Sequence, residues 1–318
     1  MAWNKDLRVK KSLTSSPSLD LKYDTHCKIL GPFLKEMQAL GKGVNMNING
    51  EMRSFKGAVQ CVTGDAPAVG VMSGFKESVG QAHKPCHVCN ADHYDMKCIF
   101  EEDKFTRRTA SEYYKQLSSV TDTSKPLHMQ TMHSTLYGIN GPSLFSILLH
   151  IHPILLFVFE LMHILHEGVL EAHLRLLLDL CVNVKKCFTP DDFNSELQLF
   201  SQQFLSHDKP APIKVAHLKS GLRQSAAQML NLATTLPFIL VGKPSVPLEN
   251  LKNFILLLQI ANGLLCYEVR TEEVNRLKQM IQEHNETFMV QYPDFDIPPK
   301  FHYLIHLASQ LLDSQWTD

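Results

Sequence analysis

The sequence predicts an α/β N-terminal part followed by a mostly α-helical C-terminal region, on three observations. Val44, Met46 and Ile48 alternate with polar residues up to Asn49-Gly50, the strongest short hairpin signal, and Met52 to Thr63 reads as the returning and continuing strand. Ile29, Leu30, Phe33, Leu34, Met37 and Leu40 recur at helical spacing, with Gly41 placed to end that helix. Beyond Pro142 the apolar residues keep a helical period through segment after segment.

Taken in order, residues 1–20 form a disordered basic arm, with Lys5, Arg8, Lys10 and Lys11 ahead of a Ser-rich stretch and no apolar periodicity. Residues 21–143 hold the α/β part and a Cys-x-x-Cys loop; a helix is expected around Ala110 to Leu117, and turn residues lie near Gly138 to Pro142. Residues 144–318 form the helical region. Helices are expected over Leu155 to Lys186, Phe193 to Leu205, Gly221 to Val241, Leu248 to Tyr267, Glu272 to Phe288 and Pro299 to Leu312, with Thr271 as the cap that precedes Glu272 and Glu273.

Composition narrows the classes of function. Lysine plus arginine (31) nearly balances aspartate plus glutamate (32), so no global positive field marks nucleic acid as the partner, and any such contact must come from local patches. The first residues have no apolar run of signal-peptide length, so an intracellular protein with reduced cysteines or cysteine metal ligands is expected. The apolar run Ile154 to Phe159 lies among His150, His152, Pro153, Glu160 and His163, each costly in hydrocarbon, which favours a buried helix over a membrane span.

Four places carry chemistry. Cys86 and Cys89 have the spacing with which two thiolates from one turn grip a tetrahedral zinc ion. His83, His87, His93 and Cys98 stand near enough in sequence to add a ligand, and Cys61 or His163 could do so through the fold. A redox dithiol and a pair of uninvolved buried thiols are the alternatives. Glu160, His163 and Glu167 share one helical face at i, i+3 and i+7, an order that is not that of a zinc protease. Histidines hydrogen-bonded within a core are the competing reading. The acid-free stretch Lys209 to Arg223 offers Lys214, Lys219 and Arg223 to phosphates, or simply forms a solvated face. Asp65, after Gly64, ends the expected strand region and so faces a cleft in the way metal-binding acids do, or else belongs to an ordinary turn.

The order of these pieces resembles the CACTA-type (En/Spm-like) DDE transposases of animal transposons. The likeness runs through Gly64 to Ala68, Gly74 to Ser78, Cys86-His87-Val88-Cys89, His133 to Ile139, Phe159 to Val169, Leu236 to Ile239 and Pro298 to His306, or about Leu21 to Leu312. The resemblance implies a partial RNase H-like core with a helical insertion, cleavage of DNA by magnesium or manganese held on three acids, and residence in the nucleus. Asp65 matches the second aspartate of the family and His163 the histidine of its D-x-x-H motif, where Glu160 replaces the aspartate with an arm one methylene longer. The first aspartate and the final glutamate have no match, since the arm offers only Asp6 and Asp20 and no glutamate follows His306. The expectation is a transposase-like protein, inactive at the vestigial residues Asp65, Glu160 and His163, that retains structural zinc and binds DNA, a protein partner or a second copy of itself. The alternatives are an active metal-dependent nuclease that recruits Asp20, Asp24 or Glu249 through the fold, and a zinc-stabilised adaptor without DNA chemistry.

Overall fold

The computed structural model describes residues 17–148, 152–243, 245–266 and 269–313. Nearly all of the basic arm, Asp6 included, lies outside these residues, as do the side chains of Asp20 and Asp24. The chain divides into two compact units, one of Met1–Asp95 with Asp103–Phe159, the other of Met96–Glu102 with Glu160–Asp318.

Among the described residues the first unit opens with helix α1 (Pro17–Lys42), followed by strands β1 (Val44–Ile48) and β2 (Glu51–Phe55). The hairpin forms where the alternation and Asn49-Gly50 place it. Val44 pairs with Phe55 and Ile48 with Glu51, and both turn residues take the positive φ that a two-residue hairpin loop demands. Helices α2 (Ala66–Ser73), α3 (Ala110–Thr121) and α4 (Leu127–Tyr137) follow. Cys27 and Leu34 on α1 pack with Val69, Leu144, Phe145, Leu156 and Phe157, while Phe75, Tyr113, Val120, Ile139 and Ile154 form a second apolar cluster.

The α/β expectation, and with it the RNase H-like core, is corrected here. The protein is mostly helical, and the two-stranded β1-β2 hairpin is the only sheet among the described residues. The returning strand stops at Phe55 instead of running on to Thr63. Beyond it, Val62 makes one parallel bridge to Phe157 but no strand extends from it. The alternation is genuine, yet Met46, Ile48, Met52 and Phe55 all remain exposed. A periodic apolar face predicts a strand but does not by itself supply the layer that would bury it.

Among its described residues the second unit holds helices and no strand. A continuous run begins with a π-helical stretch, Met162–Leu170, passes into α5 (Glu171–Asp179) and ends in a second π-helical stretch, Leu180–Val184. Helices α6 (Pro190–Phe204), α7 (Ala226–Leu240), α8 (Leu248–Leu264), α9 (Thr271–Gln291) and α10 (Lys300–Asp313) follow. Gly168 lets α10 come close, since a Cβ there would lie 2.5 Å from Lys300 Cδ. Lys300 Nζ in turn donates to the Glu167 carbonyl at 2.9 Å. Phe254, Ile260, Ile281, Phe288, Phe301 and Leu304, on α8, α9 and α10, are all buried, and the rings of Phe288 and Phe301 meet with centroids 4.8 Å apart. Thr271 is the first residue of α9 rather than its cap; the Glu273 carboxylate takes the Arg270 N–H at 2.8 Å. Among the described residues no helix is long and apolar enough to cross a membrane.

A buried histidine pair sits in this core. Asn285 Oδ1 accepts from His284 Nδ1 at 2.9 Å, which leaves His284 Nε2 to accept from His173 Nδ1 at 3.0 Å. Rings of Phe254, Phe288 and Tyr292 surround His173. Burial lowers both pKa values, His284 to about 4 and His173 well below its ordinary value. Both rings are therefore neutral in the native state, whereas the unfolded chain takes up protons below pH about 6.5. Stability is full above that pH and declines as pH falls through the folded values, by roughly 3 kcal/mol for His284 between 6.5 and 4. Urea midpoints measured from pH 7 to pH 4 are expected to fall accordingly, and His173→Phe to flatten the fall. An unchanged slope in that variant would contradict the assignment.

Candidate metal centre

The cysteine half of the centre lies in a loop without helix. Cys89 bridges Arg107 in antiparallel fashion, Arg108 N donates to the Val88 carbonyl at 2.9 Å, and Asn90 N donates to Thr106 at 3.0 Å. The Arg108 side chain then ties the loop from within. Its Nε donates to the carbonyls of Cys86 (2.9 Å) and Cys89 (3.1 Å), one terminal nitrogen to Gln116 Oε1 (3.0 Å), and the other to the carbonyls of Lys84 (2.8 Å) and Tyr137 (3.0 Å). Only a planar, five-donor guanidinium can serve so many carbonyls at once. Cys86 and Cys89 are fully buried.

The histidine half is built on α10. His302 and His306 stand four residues apart, one above the other on the same face, and both are buried. Their Nε2 atoms are 3.2 Å apart. His306 Nδ1 lies 3.0 Å from Glu102 Oε1. Burial alone would raise the Glu102 pKa, but hydrogen bonds from His306 and Ser309, with Lys278 beyond them, bring it down to about 2.

Cys86, Cys89, His302 and His306 form the one group of three or more His, Cys, Asp or Glu side chains, among the described residues, whose ligand atoms converge, all within 4.8 Å of one another. The dimensions suit zinc. Zn–N bonds of about 2.0 Å and Zn–S bonds of about 2.3 Å in a tetrahedron give edges of about 3.3 Å between nitrogens and about 3.8 Å between sulfurs. The 3.2 Å separation of the two Nε2 atoms matches the first of these. The hydrogen bond with Cys86, and then burial, push the Cys89 thiol well above its ordinary range, so its thiolate is not the stable form without a cation beside it. Arg108 adds a favourable positive charge next to both sulfurs.

Of the further ligands expected from the sequence, none joins this group. His87 Nε2 meets the Phe157 carbonyl at 3.0 Å, His93 Nε2 meets the Ala82 carbonyl at 2.7 Å, and His83, Cys61 and Cys98 are exposed. The histidines that do join were within reach of sequence reasoning. A His-x-x-x-His spacing on a helix is the usual complement to Cys-x-x-Cys in a Cys2His2 zinc site.

The residues assigned to a DNA-cutting centre have other work. Asp65 is not at the end of a strand. It is the N-cap of α2, its Oδ1 accepting from Ala68 N at 2.8 Å, with Pro67 in the first turn of the helix. Glu160, His163 and Glu167 do approach one another, as their spacing predicts. Glu160 accepts from the backbone N–H of Met162 and of His163 at 2.8 Å each and from His163 Nδ1 at 2.5 Å, while Glu167 lies 3.8 Å from His163 Nε2. Glu160 thus caps the start of the π-helical stretch. Glu249, the proposed substitute acid, pairs with Lys252 at 2.7 Å. Lys214, Lys219 and Arg223 are exposed, on the segment that includes the short helix His217–Ser220.

Compared with known proteins, the chain matches no family model and no curated sequence.

Proposed function

We propose that this chain is a transposase-derived protein whose metal centre is structural, and that it acts by binding rather than by cutting DNA. The observation that carries this reading is the convergence of Cys86, Cys89, His302 and His306. Two thiolates and two imidazoles complete a zinc tetrahedron and leave no coordination position for water or substrate, the mark of a structural rather than a catalytic zinc site. The chemistry that zinc would supply there is cohesion. Support for the ancestry comes from the motif order, because two of the segments that carry the resemblance, Cys86 to Cys89 and Pro298 to His306, are the ones that provide the four ligands. Any contact with DNA would fall to the exposed Lys214, Lys219 and Arg223.

Two-metal cleavage needs several carboxylates around the ions, whereas Asp65 is engaged as a helix cap. The test is to incubate the zinc-loaded protein with supercoiled and linear DNA in magnesium and in manganese, beside Asp65→Ala. The expected result is no cleavage by either protein, with Asp65→Ala less stable by about 1 kcal/mol for the lost cap. Metal-dependent cleavage that disappears in Asp65→Ala would overturn the proposal.

A further inference from the structure

Glu102 is a buried carboxylate ringed by donors. One oxygen, Oε1, faces His306 Nδ1 at 3.0 Å; the other, Oε2, meets Lys278 Nζ at 3.0 Å and the Ser309 hydroxyl. The arrangement draws on three elements. Glu102 opens the short turn Glu102–Lys104, Lys278 comes from α9, and Ser309 stands on α10 three residues after His306. Such a group is seldom buried without a reason, and nothing in the four-ligand set itself requires it.

We propose that Glu102 is the positioning residue of the metal centre: by accepting the Nδ1–H of His306 it fixes that ring in the tautomer whose Nε2 carries the lone pair for the metal. The inference rests on the zinc reading above and deepens it. Lysine can only donate, so the carboxylate is the acceptor at Oε2, and the shared charge makes Oε1 an acceptor as well. The proton is then on His306 Nδ1, and Nε2 is left with its lone pair directed toward His302 Nε2, 3.2 Å away. A carboxylate on the far nitrogen of a ligating histidine also raises the basicity of the ligand nitrogen and holds the ring plane. Ser309 and Lys278 hold the carboxylate in turn, so the orientation of His306 is set before any metal arrives.

Two measurements test this. In the zinc-loaded wild-type protein, nitrogen NMR of the histidine rings is expected to show His306 protonated at Nδ1 and metal-bound at Nε2. Competition against a chromophoric zinc chelator is expected to show Glu102→Gln binding zinc 10- to 100-fold more weakly, still with one zinc per chain at saturation. The exposed carboxylate variant Glu249→Gln serves as the charge-matched control and is expected to bind as the wild type does. A His306 bound through Nδ1, or a Glu102→Gln protein with wild-type zinc affinity, would overturn the role of Glu102 while leaving the zinc centre standing. A wild-type chain without zinc would instead remove the reading on which it rests. If Glu102→Gln fails to fold, the wild-type spectrum decides alone.

Discussion

Removing zinc with a chelator is expected to lower the unfolding free energy of the protein by about 4 kcal/mol or more, the stabilisation given by a ligand held roughly a thousandfold above its dissociation constant. The physical origin is specific to this chain. Without the ion, the two fully buried sulfurs lose the cation that makes them thiolates, the two buried imidazoles exchange their bonds to the metal for one Nε2–Nε2 hydrogen bond, and the Arg108 charge loses the thiolates beside it. Each of these costs free energy in a site from which water is excluded. Cys86→Ser and His306→Ala should reproduce the loss and abolish zinc retention, whereas Cys61→Ser, at an exposed thiol, should change neither. Calorimetry and urea unfolding with and without chelator measure the effect. An unfolding midpoint indifferent to the chelator would show that the four side chains pack without a metal.

The second large effect is expected at Arg108. Replacing it with Ala strips donors from the carbonyls of Lys84, Cys86, Cys89 and Tyr137 and from Gln116, all in or beside a buried region. A loss of roughly 3–5 kcal/mol follows, the range seen when one partner of a buried charged network is removed. Arg108→Lys is expected to rescue little of it, because an ammonium cannot fork to carbonyls on both sides of the loop. The signature that separates this role from simple core packing is zinc. Both variants should bind it more weakly, since the backbone of Cys86 and Cys89 is what Arg108 holds. Equal zinc affinity in Arg108→Ala and the wild type would contradict that coupling.

The sequence was most legible where the signal was local. Asn49-Gly50 placed the hairpin because the turn type depends on those two residues alone. The helical periods in the C-terminal region likewise placed α6 to α10 with only end residues shifted. The continuation from Met52 toward Thr63 misled because β-propensity says nothing about whether a neighbouring strand exists to pair with it. Asp65 misled for a related reason, since a carboxylate followed by Ala-Pro reads equally as the end of a strand or as the cap of a helix, and only the helix that follows decides. Of the metal centre, the Cys86-Cys89 half was plain from its spacing. His302 and His306 were read only as part of a family resemblance, although their i, i+4 spacing placed both on one helical face. Glu102 and Arg108 could not be found by motif at all, because what they do depends on carbonyls and rings brought to them by distant segments.

The central claim is that four side chains of this protein close around one zinc ion. Elemental analysis of the purified chain, combined with X-ray absorption at the zinc edge, tests it most directly. The expected result is one zinc per chain with two sulfurs at about 2.3 Å and two imidazole nitrogens at about 2.0 Å. A chain that purifies without zinc and takes none up, or a zinc surrounded by oxygen, would contradict it.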